Sequence, residues 1–316
     1  MFKNILVPLD GSPLAEAALP YARALVARTG ARLTLVRAAH YASLLGDVAV
    51  DQYRAVEQAE DYLAQLAERL EFEGLRAEAR VPFGGSAAEW IVEESEIRKA
   101  DLIVMATHDR IGPDRWLHGS VAEAVVHHST IPVMLVQSTE ADLFARRFQA
   151  DRPVLIVPLD GSELAESAFL VAQKLAKATA ARVVLLGVVP EPGQLVAGEG
   201  GAIVTYTGAQ HAELEANAWA YLEGSVGRVA TSGIVVDTAV RFGDAATEIA
   251  AAARECGAAA VVMATHGRTG VLRSILGSVA GGVLHHSSGA VVLVRAPALR
   301  AAEEPAIASA AAMPAD

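Results

Sequence analysis

Apolar residues fall along this chain in two alternating rhythms. Short β-branched runs are separated by longer stretches in which apolar positions recur at helical spacing, the pattern of a parallel sheet covered by helices. In the first half the runs lie near residues 4–9, 32–39, 76–82, 101–107 and 132–137, and each predicts a strand. Runs 101–107 and 259–265 are apolar almost throughout, as expected for central parallel strands buried on both faces. Helix starts are marked as well. Ser12 followed by Pro13 reads as an N-cap with proline at the first helical position, and Ser86-Ala87-Ala88-Glu89 matches a capping box. The stretch Ser274 to Val294 lacks Asp, Glu, Lys and Arg and reaches the length of a membrane span. Its Gly281-Gly282, His285-His286 and Ser287-Ser288-Gly289 divide it instead into a helix, a turn and a strand.

The whole pattern occurs twice. Val7-Pro8-Leu9-Asp10-Gly11-Ser12 returns 150 residues on as Val157-Pro158-Leu159-Asp160-Gly161-Ser162. At an offset of 158, Met105-Ala106-Thr107-His108 returns as Met263-Ala264-Thr265-His266, and Gly119-Ser120-Val121-Ala122 as Gly277-Ser278-Val279-Ala280. His127-His128-Ser129 likewise returns as His285-His286-Ser287. The change of offset places about eight extra residues in the second copy, and the Gly-rich region Pro190 to Gln210 is where they fit. The expected organisation is a first domain over 1–138, a polar linker over 139–151, a second domain over 152–296 and a disordered tail over 297–316. Each domain is expected to be α/β and Rossmann-like, a five-stranded parallel sheet with helices on both faces. In such sheets ligands bind outside the carboxyl ends of the strands, where strand order reverses. Residues just after strands one, two and four of each copy are therefore the ones to examine.

Composition narrows the classes. At 316 residues, 53% hydrophobic and only 5% aromatic, the chain builds its cores from Ala, Val, Leu and Ile and is not a disordered protein. A net charge of -11 repels a polyanion at long range, which argues against nucleic acid as a partner. The single Cys256 excludes an internal disulfide, a CxxC pair or a multi-cysteine zinc site, and a reducing cytoplasm is the expected compartment. Cys256, on an apolar helix before strand four, reads as a buried core thiol. The first ten residues hold too few apolar positions for a signal-peptide core. No metal site is expected at His127-His128 or His285-His286, because adjacent helical residues point about 100° apart. Trp90, Trp116 and Trp219 form no series for stacking on bases and read as packing or partner contacts.

Chemistry concentrates between strand four and the last helix. In the second copy the chain reads Met263-Ala264-Thr265-His266-Gly267-Arg268, a loop, then Gly277-Ser278-Val279. A glycine leaving a strand lets backbone approach a ligand, and a glycine followed by serine opens a helix whose free amides favour an anion. The plainer alternative is that Gly277 closes a loop and Ser278 caps a helix. Arg268 and Arg273 either screen phosphate charge or are solvated loop cations. His108 and His266 stand within reach of a phosphate, with no acid arranged to make either a general base.

These motifs together resemble the universal stress protein family, in its tandem two-domain form. The resemblance covers roughly 1–138 and 152–296. It implies five parallel strands per domain, ATP or a related adenine nucleotide with Mg2+ as ligand in some members, and no robust catalytic machinery. Nucleotide-binding members carry Gly, two residues, Gly, nine residues, Gly, then Ser or Thr. That pattern maps onto Ala264, Gly267, Gly277 and Ser278 in the second copy and onto Ala106, Asp109, Gly119 and Ser120 in the first. The resemblance places Asp10 and Asp160 on the base and ribose side of the pocket, although each also suits an Asx-type cap on its own turn. Ala38 and Val188 fall where the family's backbone meets adenine.

The departures have physical consequences. Alanine for the first glycine adds one methyl and forbids little where φ is negative. Asp109 adds a Cβ and a carboxylate beside the phosphates, and two like charges at about 4 Å repel by roughly 4 kcal/mol at an effective dielectric near 20. Arg110, Arg115 and His118 offset part of that, and Asp109 is otherwise a solvated loop acid. The expected function is a stress-response protein that binds an adenine nucleotide mainly through its second repeat, as a regulatory switch. The site residues are Asp160, Val188, Ala264, His266, Gly267, Arg268, Gly277, Ser278 and Val279, with Asp10, Ala38, Gly119 and Ser120 as a weaker first-repeat set. The expected partners are the nucleotide and an unidentified protein, not nucleic acid or membrane. The two copies are expected to form an internal pseudo-dimer, with further pairing to a homodimer left open. The alternative is a stress-linked interaction scaffold without nucleotide. An adenylating or nucleotidyl-transferring enzyme would show a Ser-Gly-Gly-x-Asp-Ser loop or a His-x-Gly-His pair, and the chain has neither. At most slow ATP hydrolysis is expected.

Overall fold

The computed structural model describes residues 2–39, 48–107, 120–137, 141–193, 196–197, 203–204, 207–230, 233–265 and 276–295. The first repeat runs β1 (Asn4–Pro8), α1 (Pro13–Glu16), α2 (Ala18–Thr29), β2 (Arg32–Val36), α3 (Val48–Phe72), β3 (Ala77–Arg80), α4 (Ala87–Ile97), β4 (Leu102–Thr107), α5 (Ser120–His128) and β5 (Val133–Gln137). A short helix, α6 (Ala141–Ala145), and a 3-10 turn (Arg146–Gln149) follow. The second repeat runs β6 (Val154–Leu159), α7 (Glu163–Glu166), α8 (Ala168–Thr179), β7 (Arg182–Val189), the two-residue strands β8 (Val196–Ala197) and β9 (Ile203–Val204), and α9 (Gly208–Val229). It closes with β10 (Val236–Phe242), α10 (Ala245–Glu255), β11 (Ala260–Ala264), α11 (Ser278–His286) and β12 (Ala290–Val294). The apolar stretch read as helix, turn and strand is α11, the turn Ser287–Gly289 and β12, and among the described residues no helix is long and apolar enough to cross a membrane.

All ten long strands form one sheet in the order β10-β7-β6-β11-β12-β5-β4-β1-β2-β3. Each repeat is a five-stranded parallel sheet, as the alternating pattern predicts. The two join edge to edge through β12 and β5, which are antiparallel. Met134 faces Val292, its own counterpart 158 residues on, with Val133 opposite Leu293 and Leu135 opposite Val291. That register is the signature of an approximate two-fold axis through the seam. Side chains follow the same symmetry. Gln137 donates to the Leu284 carbonyl (3.0 Å), and Arg295, its counterpart, donates to the His127 carbonyl (2.8 Å). Joining the two edges leaves only β3 and β10 as free edges of the sheet.

Parallel strands need cover on both faces, and each face of this sheet has its own core. One core, under α2, α3, α8 and α9, contains Ile5, Leu33, Leu63, Leu155 and Leu185. The other, under α4, α5, α10 and α11, contains Leu6, Ile103, Met105, Val261 and Val283. Both cores run through the two repeats. Segment 139–151, polar in overall composition, is itself part of this packing: Ala141, Phe144, Ala145 and Phe148 are buried in the first core. Arg147 lies over the Phe144 ring and donates to the Ala258 carbonyl (3.0 Å), while Arg28 donates to the Ala150 carbonyl. Residues 296–316 lie outside the described set.

The extra residues of the second repeat are located by a duplicated polar contact. In the first repeat Tyr62 donates to Glu16 (2.9 Å), and in the second Tyr221 donates to Glu166 (2.8 Å). The glutamates are offset by 150 and the tyrosines by 159 (62 to 221). The additional chain therefore enters between β7 and Tyr221, where β8 and β9 also form. Arg228 completes the second cluster with a bidentate bond to Glu166 (2.6 and 2.7 Å). Partial burial works against ionisation of Glu166, but the bonds from Arg228 and Tyr221 outweigh it and hold its pKa below 4.5, while the Tyr221 hydroxyl is pushed up to about 12 by burial and by Glu166. A carboxylate with a lowered folded-state pKa adds stability that is complete above the unfolded value and lost as pH falls through the folded one. Arg228 is about half exposed (48%), so the expected cost of Glu166→Gln at pH 7 is only about 1 kcal/mol. Thermal melts should show that gap closing below about pH 4. A gap that stays constant from pH 7 to pH 3 would disprove the assignment.

Candidate functional site

The crevice at the carboxyl ends of β6 and β11 is where strand order reverses: the chain moves outward from β6 to β7 and β10, then returns to β11 on the other side. Binding crevices of open α/β sheets form at such points. Register sets which residues meet there. Leu159 of β6 pairs with Gly187 of β7, so Asp160 and Val188 lie side by side one step further on. In the first repeat Pro8 pairs with Val36, which brings Asp10 level with Ala38 in the same way.

Asp160 is exposed, and its Oδ1 accepts from the Ser162 amide (3.0 Å) and hydroxyl (2.6 Å). Ser162 in turn caps α7 by accepting from the Ala165 amide (3.1 Å). Asp10 and Ser12 repeat this arrangement, with the Ser12 amide donating to Asp10 (2.8 Å) and Pro13 at the first helical position. The Asx-type role is thus present in both copies. Gly11 and Gly161 have φ of +88° and +86°, which lets each turn fold back over its strand.

Ala264 ends β11 and is buried at 6% exposure, paired with Val294. Its φ is not positive, and neither is that of Ala106, so the methyl that replaces glycine adds no backbone strain at either position. Thr265 follows. Its carbonyl accepts from the Gly277 amide (2.8 Å), which anchors the start of α11 directly beside the end of β11. Gly277 is the N-cap of α11, with φ −61° and ψ 153° and no side chain to cap with. Five other helices are capped: α1 by Ser12, α7 by Ser162, α4 by the Ser86–Glu89 box, α9 by Thr207 and α10 by Asp244. At α11 the amides of Ser278, Val279 and Ala280 have no side-chain acceptor from the N-cap, and Ser278 and Val279 are exposed. The tilt of α11 is set by Gly282, where a Cβ would come within 2.5 Å of the Ala246 Cβ on α10. The two helices therefore pack closer than any side chain at 282 allows.

Asp160, Val188, Ala264, Gly277, Ser278 and Val279 all reach the carboxyl end of the second half-sheet. His266, Gly267, Arg268 and Arg273 lie outside the described residues, as do His108, Asp109, Arg110, Arg115, Trp116, His118 and Gly119 of the first repeat. Ser120 opens α5 and is exposed.

Comparison with known proteins decides the family. The family model described as the universal stress protein family matches residues 1–137 and 153–295. The chain belongs to the universal stress protein family. A universal stress protein of Methanocaldococcus jannaschii is 29% identical over 147 residues, 45% of this chain and 86% of its own. One from Thermus aquaticus is 34% identical over 140 residues, 43% of this chain and 100% of its own. A solved universal stress protein from Archaeoglobus fulgidus superposes on 92% of this chain and 98% of its own, with a TM-score of 0.67 at 23% identity. The last of these supports the tandem fold alone.

Other residues read from the sequence find different roles. Cys256 is exposed rather than buried in the core, because it is the C-cap that follows α10 and stands with the exposed Arg254 and Glu255 while Ala252 and Ala253 take the core positions. Partial desolvation still pushes its thiol pKa up. Trp90 donates its indole N–H to the Gly84 carbonyl, and Trp219 is exposed on α9. His127 and His128 touch edge-on, as do His285 and His286, at the ends of α5 and α11. Two residues that sequence reasoning missed flank the site, Arg37 after β2 and Gly187 in β7. Alignment of the repeats at the 150 offset reveals them, since it sets an arginine against a glycine.

Proposed function

We propose that this universal stress protein binds an adenine nucleotide, ATP with Mg2+, through its second repeat, and that occupancy acts as a regulatory switch read by a protein partner in the cytoplasm. The observation that carries the reading is the uncapped start of α11. A helix N-terminus concentrates partial positive charge and unpaired amides, and an anion satisfies both. The ribose and base would lie beside Asp160 and Val188, at the adjoining ends of β6 and β7. Mg2+ commonly enters on its substrate's phosphates with few protein ligands, which fits a site without a cluster of three or more metal-ligating side chains among the described residues. Slow hydrolysis is the most that this machinery supports.

The test is mass spectrometry of small molecules released from freshly purified, denatured protein, scored as a molar ratio to chain. A ratio near one of an adenine nucleotide is expected. No nucleotide, followed by no heat on titration with Mg-ATP, would overturn the reading in favour of a nucleotide-free scaffold.

A further inference from the structure

The join between the repeats is symmetric in its backbone and asymmetric in its cover. α2 and α8 hold equivalent places on one face of the sheet, residue for residue at an offset of 150. α2 carries α6 and the 3-10 turn on its outer side, where Phe148 meets Tyr21 and Arg28 reaches the Ala150 carbonyl. Under that cover Tyr21 and Ala24 are both 0% exposed, and Pro20 is half-buried. Among the described residues no element follows β12 to cover α8 as α6 covers α2. There Leu170, the counterpart of Pro20, is 61% exposed, and Lys174, the counterpart of Ala24, is exposed as well. Lys177, a turn further on, is exposed too, and neither lysine forms an ion pair among the described residues.

The cover on α2 is the chain that leaves β5. Gln137 and Arg295 end β5 and β12 with matching bonds across the seam, so the chain that leaves β12 sets out toward α8 from the equivalent point. At the seam's offset of 158, Ala141 becomes Leu299, and Ala145, buried in the clasp, becomes Glu303 with Glu304 beside it. Ala24 and Ala145 lie on elements that pack together, and their counterparts are a lysine and a glutamate. The helix and its missing cover thus change together, from two apolar residues to two of opposite charge. A second copy of the chain fits this stripe less well, because a two-fold contact would bring positive Lys174 and Lys177 against the same patch of the other chain.

We propose that residues 296–316 of this chain dock along α8 as the counterpart of the clasp on α2, with Leu299 against Leu170 and Glu303 or Glu304 against Lys174. The segment has alanines at 302 and 306 where the clasp has Phe144 and Phe148, and exposed ion pairs add little, so this second clasp is the weaker of the two. It is independent of the nucleotide reading.

Carbodiimide coupling, which joins an amine to a carboxylate in direct contact, tests this on the full chain, with isotopically light and heavy protein mixed and the peptides read by mass spectrometry. An amide between Lys174 or Lys177 and Glu303 or Glu304 of the same chain is expected. In parallel, acetylation of the two lysines is expected to run at least about 3-fold faster in a chain ended after Arg295, the ratio for a segment docked two-thirds of the time. Glu303→Lys/Glu304→Lys should raise the rate as far, with circular dichroism unchanged. Amides formed only between chains would overturn the proposal in favour of a second copy on α8. The absence of any such amide, or acetylation equally fast with and without residues 296–316, would overturn it in favour of a bare helix face.

Discussion

Gly277→Asp is expected to weaken Mg-ATP binding at least about 100-fold while leaving the protein as stable as before, or slightly more so. Gly277 sits at φ −61°, a conformation open to any residue, so the substitution introduces no backbone strain. Aspartate is among the preferred N-cap residues, and its carboxylate accepts from the amides of the second and third helical positions. Those are Val279 and Ala280, two of the amides left uncapped in α11. The variant helix would thereby be capped by the very group that excludes the ligand. Repulsion between the new carboxylate and a phosphate about 4 Å away is of the order of 4 kcal/mol at an effective dielectric near 20. Taking only part of that repulsion leads to the 100-fold figure. The equivalent first-repeat change, Gly119→Asp, is expected to leave both affinity and stoichiometry unaltered. Calorimetry on the two variants beside thermal melts separates the possibilities, and equal losses of binding in both would contradict an asymmetric protein.

Phe148→Ala is expected to cost about 3–5 kcal/mol of stability, the range for emptying a large buried aromatic site. Phe148 is fully buried and meets Tyr21 of α2 edge-on, with ring centroids 6.5 Å apart and planes at 76°. Its neighbours in the same short segment fasten the other side: Arg147 holds the Ala258 carbonyl ahead of β11, and Phe144 lies 3.7 Å from where a Cβ of Gly289 would be. The segment that joins the repeats in sequence therefore also joins them in space. For a protein of this size the loss corresponds to a midpoint lowered by roughly 5 to 8 °C. Leu143→Ala, at a position 55% exposed on α6 of the same segment, should change stability by less than about 0.5 kcal/mol. A drop below about 1 kcal/mol for Phe148→Ala would show that the segment does not hold the repeats together.

Much of this was legible without coordinates, and for identifiable reasons. Strand periodicity located β1 to β5 to within a few residues; β2 was read as far as residue 39 and its regular ladder stops at Val36, although the Arg37 and Ala39 amides still bond the Arg80 and Pro82 carbonyls (3.0 and 2.9 Å). Caps at Ser12 and Ser86 could be read because capping depends on residue type and local spacing alone. The apolar length of 274–294 did not mislead, since α11 ends at His286 and the turn Ser287–Gly289 separates it from β12 before a helix could span a bilayer. Cys256 did mislead. Its apolar neighbours describe the helix, but where α10 stops, one residue before Cys256, and which residues of its last turn meet the core are questions of packing.

By itself, then, the sequence determined that one α/β unit occurs twice, where its strands and helix starts lie, and that the second copy keeps more of the glycine pattern than the first. Those are local properties, carried by residue type and period. Tertiary structure alone decided the rest. The two half-sheets meet through β5 and β12 about a two-fold axis because two apolar edges, each aligned with its own repeat, satisfy one another's backbone groups. Segment 139–151 became a clasp because its two phenylalanines found a core that neither repeat presents alone. Arg37 came to lie between the Gly11 turn and the Tyr62 ring because folding brings the end of β2, that turn and α3 together, and no local pattern in the sequence announces such a contact.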